Sequence, residues 1–540
     1  MGEVGRELRA LRGARLLVRE VAEQVAITNG VCIRPIPYRR VDALTGLSEV
    51  VSVPCGATLE SKCPPCAKRS RQVRRAQCRE GWHLESEPVA PAEATQDQRE
   101  LIETRAMLQL QRDEAVHAGV DVRDLDAVID AVDREIHAAG MAGSVAGRSG
   151  GHRVRSTRRR QDAPDLPRRV MRDTTLGRTF TGPDGKVFRP SMFVTLTLPS
   201  YGRVRGGVPV DPAAYDYRRA ARDALHFSKL VDRFVQNLRR VAGFDVQYFA
   251  TVEPQKRLAP HLHMAIRGTL PRADLRRIVA ATYHQVWWPA VDVVRFEGAN
   301  LPVWSAGVGY VDPGTGEVLA TWDEALDRLG ADADAEPLHV ARFGVQLDVQ
   351  GVLAGSKDAD QCIRYLSKYL MKSLGETVHG ADDAGDVGRR AHAARLVEAL
   401  RFEPCSPGCA NWLRYGVQPK GAKAGMVPGR CRSKAHKPEY LGYAGRRVLV
   451  SRRWSGRTMR DHTRDRRAWV MEALGLEDDG AADRHRYVWL RLAAGDPDAG
   501  APGLRLLREV AKRQRWRAEV EALRARAEAG LGGAVVAMAG

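Results

Sequence analysis

The sequence predicts an α+β fold, and three observations predict it. Segments KVFRPSMFVTLTLPS, DVQYFATVEP, PHLHMAIRG and HVARFGVQLDVQ alternate β-branched or aromatic residues with others and end at Pro or Gly, as strands do. Between them lie amphipathic stretches. RRAARDALHFSKLVDRFVQNLRRVAG spaces Ala221, Leu225, Leu230, Phe234 and Leu238 for one helical face, and PRADLRRIVAATYHQVWW does so with Leu275, Ile278, Val279, Thr282 and Val286. The link from Glu253 to His261 is too short for a parallel crossover. The order β, α, β, β, α, β, α therefore implies an antiparallel or mixed sheet, with helices covering one side.

A chain of 540 residues exceeds what one core serves, and composition divides it into five regions. Residues 1–84 form an N-terminal Cys-rich, basic region. Residues 85–165 hold a helical hairpin, with Leu101, Ala106 and Leu108 before a break at Gly119 and Leu125, Val128, Ile129 and Val132 after it, followed by a Gly-, Ser- and Arg-rich linker. Residues 166–376 carry the strands. Residues 377–470 form a Cys-containing basic region, and 471–540 a helical tail. The turn-forming run in YVDPGTGEVLATW predicts a hairpin inserted before the last strand.

Lys and Arg total 85 against 66 Asp and Glu, a formal charge of +19 with pI near 9.8. Arginine's planar fork matches phosphate oxygens, so the balance favours a nucleic acid partner, although a solvated Arg-rich surface gives the same count. No apolar run is long enough to span a membrane, and the N-terminus lacks a signal-peptide core, so no membrane partner and a cytoplasmic location are expected. Nine clustered cysteines suit metal binding in a reducing compartment better than disulfides.

On a strand, residues i and i+2 share a face, so His261 and His263 present their rings together. An antiparallel return would bring the Glu253 carboxylate beside them. Two imidazoles and one carboxylate leave positions open for water and phosphate oxygens, a set that accepts Mg²⁺ or Mn²⁺. A hundred residues on, DADQCIRYLSKYLMKSLG places Tyr365 and Tyr369 one helical turn apart, with Lys368 beside them. A free phenol is almost wholly protonated at neutral pH, so a tyrosine nucleophile needs cationic help, which Lys368 and a metal would supply. FVTLTLP puts Thr195 and Thr197 on one face of a strand.

FVTLTLP, PHLHMAI and YLSKYL, in that order, resemble the three motifs of the HUH endonucleases, and more closely those of rolling-circle replication initiators of actinobacterial plasmids. The resemblance extends over VWWP, the YVDPGTGEVLATWDEAL turn and MVPGRCRSKAHKPEYLGYAGRRVLVSRRWSG, from about Phe180 to Trp469. It implies an HUH-type antiparallel-sheet nuclease core flanked by helices. It further implies metal ligation by His261, His263 and Glu253, and attack on a DNA phosphate by Tyr365 or Tyr369. The activity would be strand nicking at a double-strand origin, a 5′-phosphotyrosyl link, and later rejoining. Plasmid origin DNA, recognised as duplex and cut as a single strand, with a host helicase and DNA polymerase, would be the partners. A conjugative relaxase or HUH transposase is the rival within this class, and a non-catalytic zinc-containing repressor is the rival outside it.

Two cysteine groups predict structural Zn²⁺. In the first, Cys55, Cys63, Cys66 and Cys78 lie within one short basic segment, with His83 as a substitute for one of them. The second, looser group is Cys405, Cys409, Cys431 and His436. Cys32 and Cys362 read as apolar fillers. Downstream, Arg446, Arg447, Arg452 and Arg453 with Trp454 suit a basic hairpin that contacts DNA, and Thr458 suits the cap of the helix after it. A charged edge strand would look the same.

Overall fold

The computed structural model describes residues 18–88, 94–141, 163–368, 370–375, 386–459, 461–464, 486–493 and 496–538. The chain forms two compact units, Pro88–Gln161 and the remainder. The small unit is an antiparallel helix pair, Gln96–His117 and Arg123–Ala138. Thr95 opens the first helix with a reciprocal capping box to Gln98, and Arg105 of that helix is buried in an ion pair with Asp133 of the second. Residues 142–162, most of the linker, fall outside the described residues.

The large unit begins with α1 (Val18–Thr28), β1 (Ile36–Asp42), β2 (Ser48–Val53) and α2 (Pro64–Trp82). It continues through β3 (Pro190–Thr197), α3 (Tyr217–Ala242), β4 (Tyr248–Pro254), β5 (Pro260–Arg267), α4 (Arg272–Ala281), β6 (Tyr283–Val286), β7 (His339–Arg342), β8 (Leu347–Leu353) and α5 (Lys357–Lys368). After it come α6 (Asp386–Phe402), β9 (Val448–Val450), β10 (Tyr487–Arg491) and α7 (Pro502–Met538). The central sheet has the order β8-β3-β5-β4-β9, and every neighbouring pair is antiparallel. The fold is mixed α/β with antiparallel sheets.

Alternation along the strands separates two faces. Val194, Leu196, Val252, Leu262 and Met264 point into the larger core, against Phe227, Leu230 and Phe234 of α3. That helix is long and strongly amphipathic. Asp216 caps its first turn through the Arg219 amide, and Gly243 ends it in a left-handed conformation that a side chain would strain. Phe193, Phe249 and Ala265 point the other way, into a second core made by Cys78 and Trp82 of α2, Cys362, Ile363 and Leu366 of α5, and Trp454.

Helices thus cover both faces, not the one face the sequence predicts. The reason is that α2, from the N-terminal Cys-rich region, packs over the sheet and along α5. Other elements also depart from expectation. Tyr283–Val286 ends the helical run as a strand, because it pairs with His339–Arg342. HVARFGVQLDVQ is consequently two strands, β7 and β8, in different sheets. The predicted hairpin turn exists at Asp312–Glu317, closed by a Val311–Val318 bridge, while the adjoining ladder pairs Val303–Ser305 with Gly309–Val311. The tail is not helical throughout: β10 joins β1 in a three-stranded sheet, and α7 packs on α1. The first and last described segments thus build one lobe.

Candidate active site and metal clusters

The two histidines come from β5, the central strand of the main sheet. His263 is paired across the ladders with Thr195 on one side and Thr251 on the other, and His261 with Thr197 and Glu253. Directly opposed residues share a face, so all six side chains rise from the side that α5 covers. The His261 and His263 rings are 4.4 Å apart, centroid to centroid. Phe193, two residues before Thr195, stacks on the His263 ring at 5.9 Å and 10°.

Tyr365 lies on α5, whose buried stripe of Ala359, Cys362, Ile363 and Leu366 holds the helix on the sheet. Its hydroxyl stands 3.2 Å from Nε2 of His263, while Thr195 Oγ1 stands 3.1 Å from Nδ1 of the same ring. Tyr365 remains 40% exposed, so the side chain is not sealed into the core. Tyr369 lies outside the described residues.

Burial holds both imidazoles neutral at pH 7. It pulls His261 down to about 4, helped by Arg257, and His263 down to about 3, helped by His261. Neutral rings offer lone pairs. Nδ1 of His261 is buried with no hydrogen-bond partner, which is costly unless something else takes that lone pair. Burial pushes the Glu253 carboxyl up to about 7 against the pull of Arg447 and Lys368. Buried neutral imidazoles, an orphaned nitrogen and a carboxyl facing them fit a divalent cation, which would relieve each of these costs. The donor set is open rather than closed: His261, His263 and Glu253 are not among the groups whose ligand atoms all lie within 4.8 Å of one another.

Two other groups meet that distance, Cys32–Cys55–Cys63–Cys66 and Cys405–Cys409–Cys431–His436. A tetrahedral zinc with Zn–S near 2.3 Å sets its sulfurs about 3.8 Å apart, and a sulfur and a nitrogen about 3.5 Å apart. Cys63 and Cys32 sulfurs are separated by 3.8 Å, Cys405 and Cys431 by 3.9 Å, and Cys409 Sγ from His436 Nε2 by 3.5 Å. All seven cysteines in these groups are free thiols. The Cys55 amide points at the Cys32 sulfur at 3.3 Å, and His436 Nδ1 faces the Leu400 carbonyl at 2.9 Å, which leaves Nε2 for the cluster. Both groups could hold a metal such as zinc.

The first group corrects the sequence expectation twice. Cys78 is not in it, because Pro64–Trp82 is one helix: twelve residues along an α-helix carry Cys78 about 18 Å from Cys66. Cys78 is buried instead against Trp82, Trp454 and Cys362. His83 follows the same helix and accepts a hydrogen bond from the Gly355 amide. The missing fourth thiol is Cys32, read from sequence as a filler, which reaches the site because the chain doubles back through β1 and β2.

Of the four arginines expected at DNA, Arg446 and Arg452 are exposed. Arg447 is tied inward to the Val252 and Lys372 carbonyls, and Arg453 to Asp173, Asp245 and Glu87. Val448–Val450 is not a free basic hairpin but the last strand of the main sheet, and Trp454 is fully buried in the core beside Cys78 and Trp82. Thr458 does cap a helical turn, with Asp461 reciprocating. Thr195 and Phe193, which hold His263, were visible only as strand alternation. Among the described residues no helix is long and apolar enough to cross a membrane.

A family model described as RepSA, replication initiator protein, pSAM2, matches residues 18–513. No curated protein and no solved structure matches the chain.

Proposed function

Because this chain belongs to the RepSA family of replication initiators, we propose that it starts plasmid replication by cutting one origin strand with a tyrosine. The observation that carries this reading is the Tyr365 hydroxyl at 3.2 Å from His263 of the central strand, with His261 and its ladder partner Glu253 on the same face of the sheet. The core is read as an HUH-type nuclease, in keeping with the motif order. His261, His263 and Glu253 would hold Mg²⁺ or Mn²⁺, which would polarise the scissile phosphate and steady its developing charge.

The residues then have separate tasks. Thr195 and Phe193 fix the plane of the His263 ring, and with Nδ1–H donated to Thr195, Nε2 faces Tyr365. The Tyr365 oxygen forms a bond to phosphorus as the bond from phosphorus to the 3′ oxygen breaks. The phenolic proton leaves, and the departing oxygen gains one. The products are a 5′-phosphotyrosyl link and a free 3′-OH to prime synthesis. One phosphodiester replaces another, so no nucleotide is consumed, and the 3′-OH of a finished strand reverses the step to close a circle. Lys368 favours the phenolate or grips phosphate, and Tyr369 is the candidate for the second cut. Zn²⁺ in the two thiol clusters holds accessory lobes, and Arg446 and Arg452 contact the duplex. A host helicase and polymerase take over at the 3′-OH.

The test is incubation with Mn²⁺ and a supercoiled plasmid bearing the origin. The expected product is an open circle with protein on a 5′ end, absent for Tyr365→Phe. A shift of the DNA without cleavage would instead establish a repressor.

A further inference from the structure

The thiol cluster of the N-terminal lobe and the tyrosine helix are joined by a single element. Cys63 is the N-cap of α2 and Cys66 lies in its first turn. From there α2 packs along α5 and runs antiparallel to it, its start lying near the end of α5 and its end near the start. Near the cluster, the Glu60 amide, in the loop between Cys55 and Cys63, donates to the Met371 carbonyl at 2.8 Å, just beyond the end of α5. At the far end Arg79 pairs with Asp360 at 2.6 Å, and His83 accepts from the Gly355 amide at 2.7 Å. Tyr365 sits between these clasps.

What holds the near clasp is the cluster itself. The apolar group at this point consists of Cys32, Cys63 and Cys66, with Ile33, Cys55 and Ala57 against it. Six side chains, four of them cysteine and only Ile33 large, bury too little to fix a loop against its conformational entropy, about 1–2 kcal/mol per residue. A zinc bound by four thiolates contributes far more than that, and in small lobes its binding energy is the folding energy.

We propose that a zinc ion on Cys32, Cys55, Cys63 and Cys66 sets the position of the helix that carries Tyr365, so that this remote metal governs strand cleavage. The four cysteines are positioning residues, acting through Glu60 and α2. The link to cleavage rests on the nuclease reading above, whereas the link to the helix does not.

The experiment uses the full-length chain with Cys32→Ser, Cys32→His and Cys78→Ser. Cys32→Ser is expected to lose one bound zinc and Cys78→Ser none. Amide exchange at Glu60 and across residues 355–371 should quicken in Cys32→Ser and return to the native rate in Cys32→His, which restores a zinc ligand. On a single-stranded origin oligonucleotide, kcat should fall by about a hundredfold in Cys32→Ser with KM and the Mn²⁺ midpoint unchanged, as expected when a nucleophile is displaced by about an ångström. Full zinc content in Cys32→Ser would overturn the ligand set. Zinc loss with native exchange at Glu60 and in α5 would overturn the coupling. If Cys32→Ser does not fold, wild-type protein is stripped by a chelator and refilled with zinc: exchange that quickens on stripping and recovers on refilling supports the coupling, and exchange that stays native throughout overturns it. Exchange is measured without nicking, so a wild type that never cleaves DNA removes the nuclease reading alone.

Discussion

The Tyr365 hydroxyl and Nε2 of His263, 102 residues apart in sequence, stand 3.2 Å from each other, and that nitrogen is the one left available when Thr195 engages Nδ1. Tyr365→Phe removes one oxygen while leaving the ring against Phe193. Nicking should fall by at least about a thousandfold, the scale seen when a catalytic nucleophile is removed. Duplex binding in a gel shift should be unchanged. Equal nicking by Tyr365→Phe with none by Tyr369→Phe would move the first attack to Tyr369, whereas loss only in the double variant would make the two phenols interchangeable.

Thr195→Val keeps the strand and its shape but removes the group that orients His263. Loss of such an outer contact to a metal-ligating histidine costs about 10- to 100-fold in metal affinity or activity. The Mn²⁺ concentration giving half-maximal nicking should rise accordingly, with the melting temperature little changed. An unaltered Mn²⁺ midpoint would show that Thr195 plays no part in the site.

The strands, the pairing of His261 with Glu253 and the helix bearing Tyr365 were legible because each is a local pattern: alternation, a short connection, a four-residue spacing. Cys32 was not legible, since its partners are 23 to 34 residues away and only the β1–β2 hairpin brings them together. Cys78 misled because proximity in sequence says nothing of direction once a helix has begun. Trp454 looked like a DNA contact beside arginines, yet Gly81 leaves it room: a Cβ there would sit 2.2 Å from its ring. A hairpin, the course of one helix and the packing of that helix decided the three in turn, and none of them is written in the local pattern.

The second thiol cluster gives a stoichiometric prediction. Purified protein should carry two zinc ions, and Cys409→Ser or His436→Ala one. His436 is anchored on Leu400 of α6, so loss of that zinc should also speed exchange near the end of α6. Elemental analysis after dialysis checks the count, and an unchanged count in both variants would remove the site.

Acid should destabilise the fold through its buried neutral histidines. His392 is fully buried, with Nδ1 at 2.8 Å from the Tyr217 hydroxyl, and burial, with Arg395 nearby, pulls it down to about 4. Its unfolded value is near 6.5. Below that pH the unfolded chain binds a proton that the native chain refuses, so stability present above about 6.5 is lost as pH falls toward 4, by up to about 1.4 kcal/mol per pH unit. Urea melts at pH 7, 6 and 5 should show a shallower decline in His392→Phe than in wild type. The comparison cancels what the thiolate clusters contribute to both proteins, and parallel declines would refute the assignment.

Trp454 and Gly81 test whether α2 belongs to the core of the main sheet. The Trp454 ring is buried over Gly81, meets Trp82 edge-on at 6.4 Å, and donates through Nε1 to the Cys78 carbonyl. Trp454→Ala should cost about 3–5 kcal/mol, the usual range for a large aromatic removed from a core. Gly81→Ala, which forces a methyl into that ring, should cost about 1–3 kcal/mol from overpacking. If the tryptophan served DNA instead, Trp454→Ala would weaken origin binding and leave the melting curve in place, whereas Gly81→Ala would do little to either. Denaturant melts beside gel shifts on the same two variants separate these outcomes: a large loss of stability with native affinity for duplex at low temperature is the result that places α2 and the strand after Arg447 in one core with the tyrosine helix.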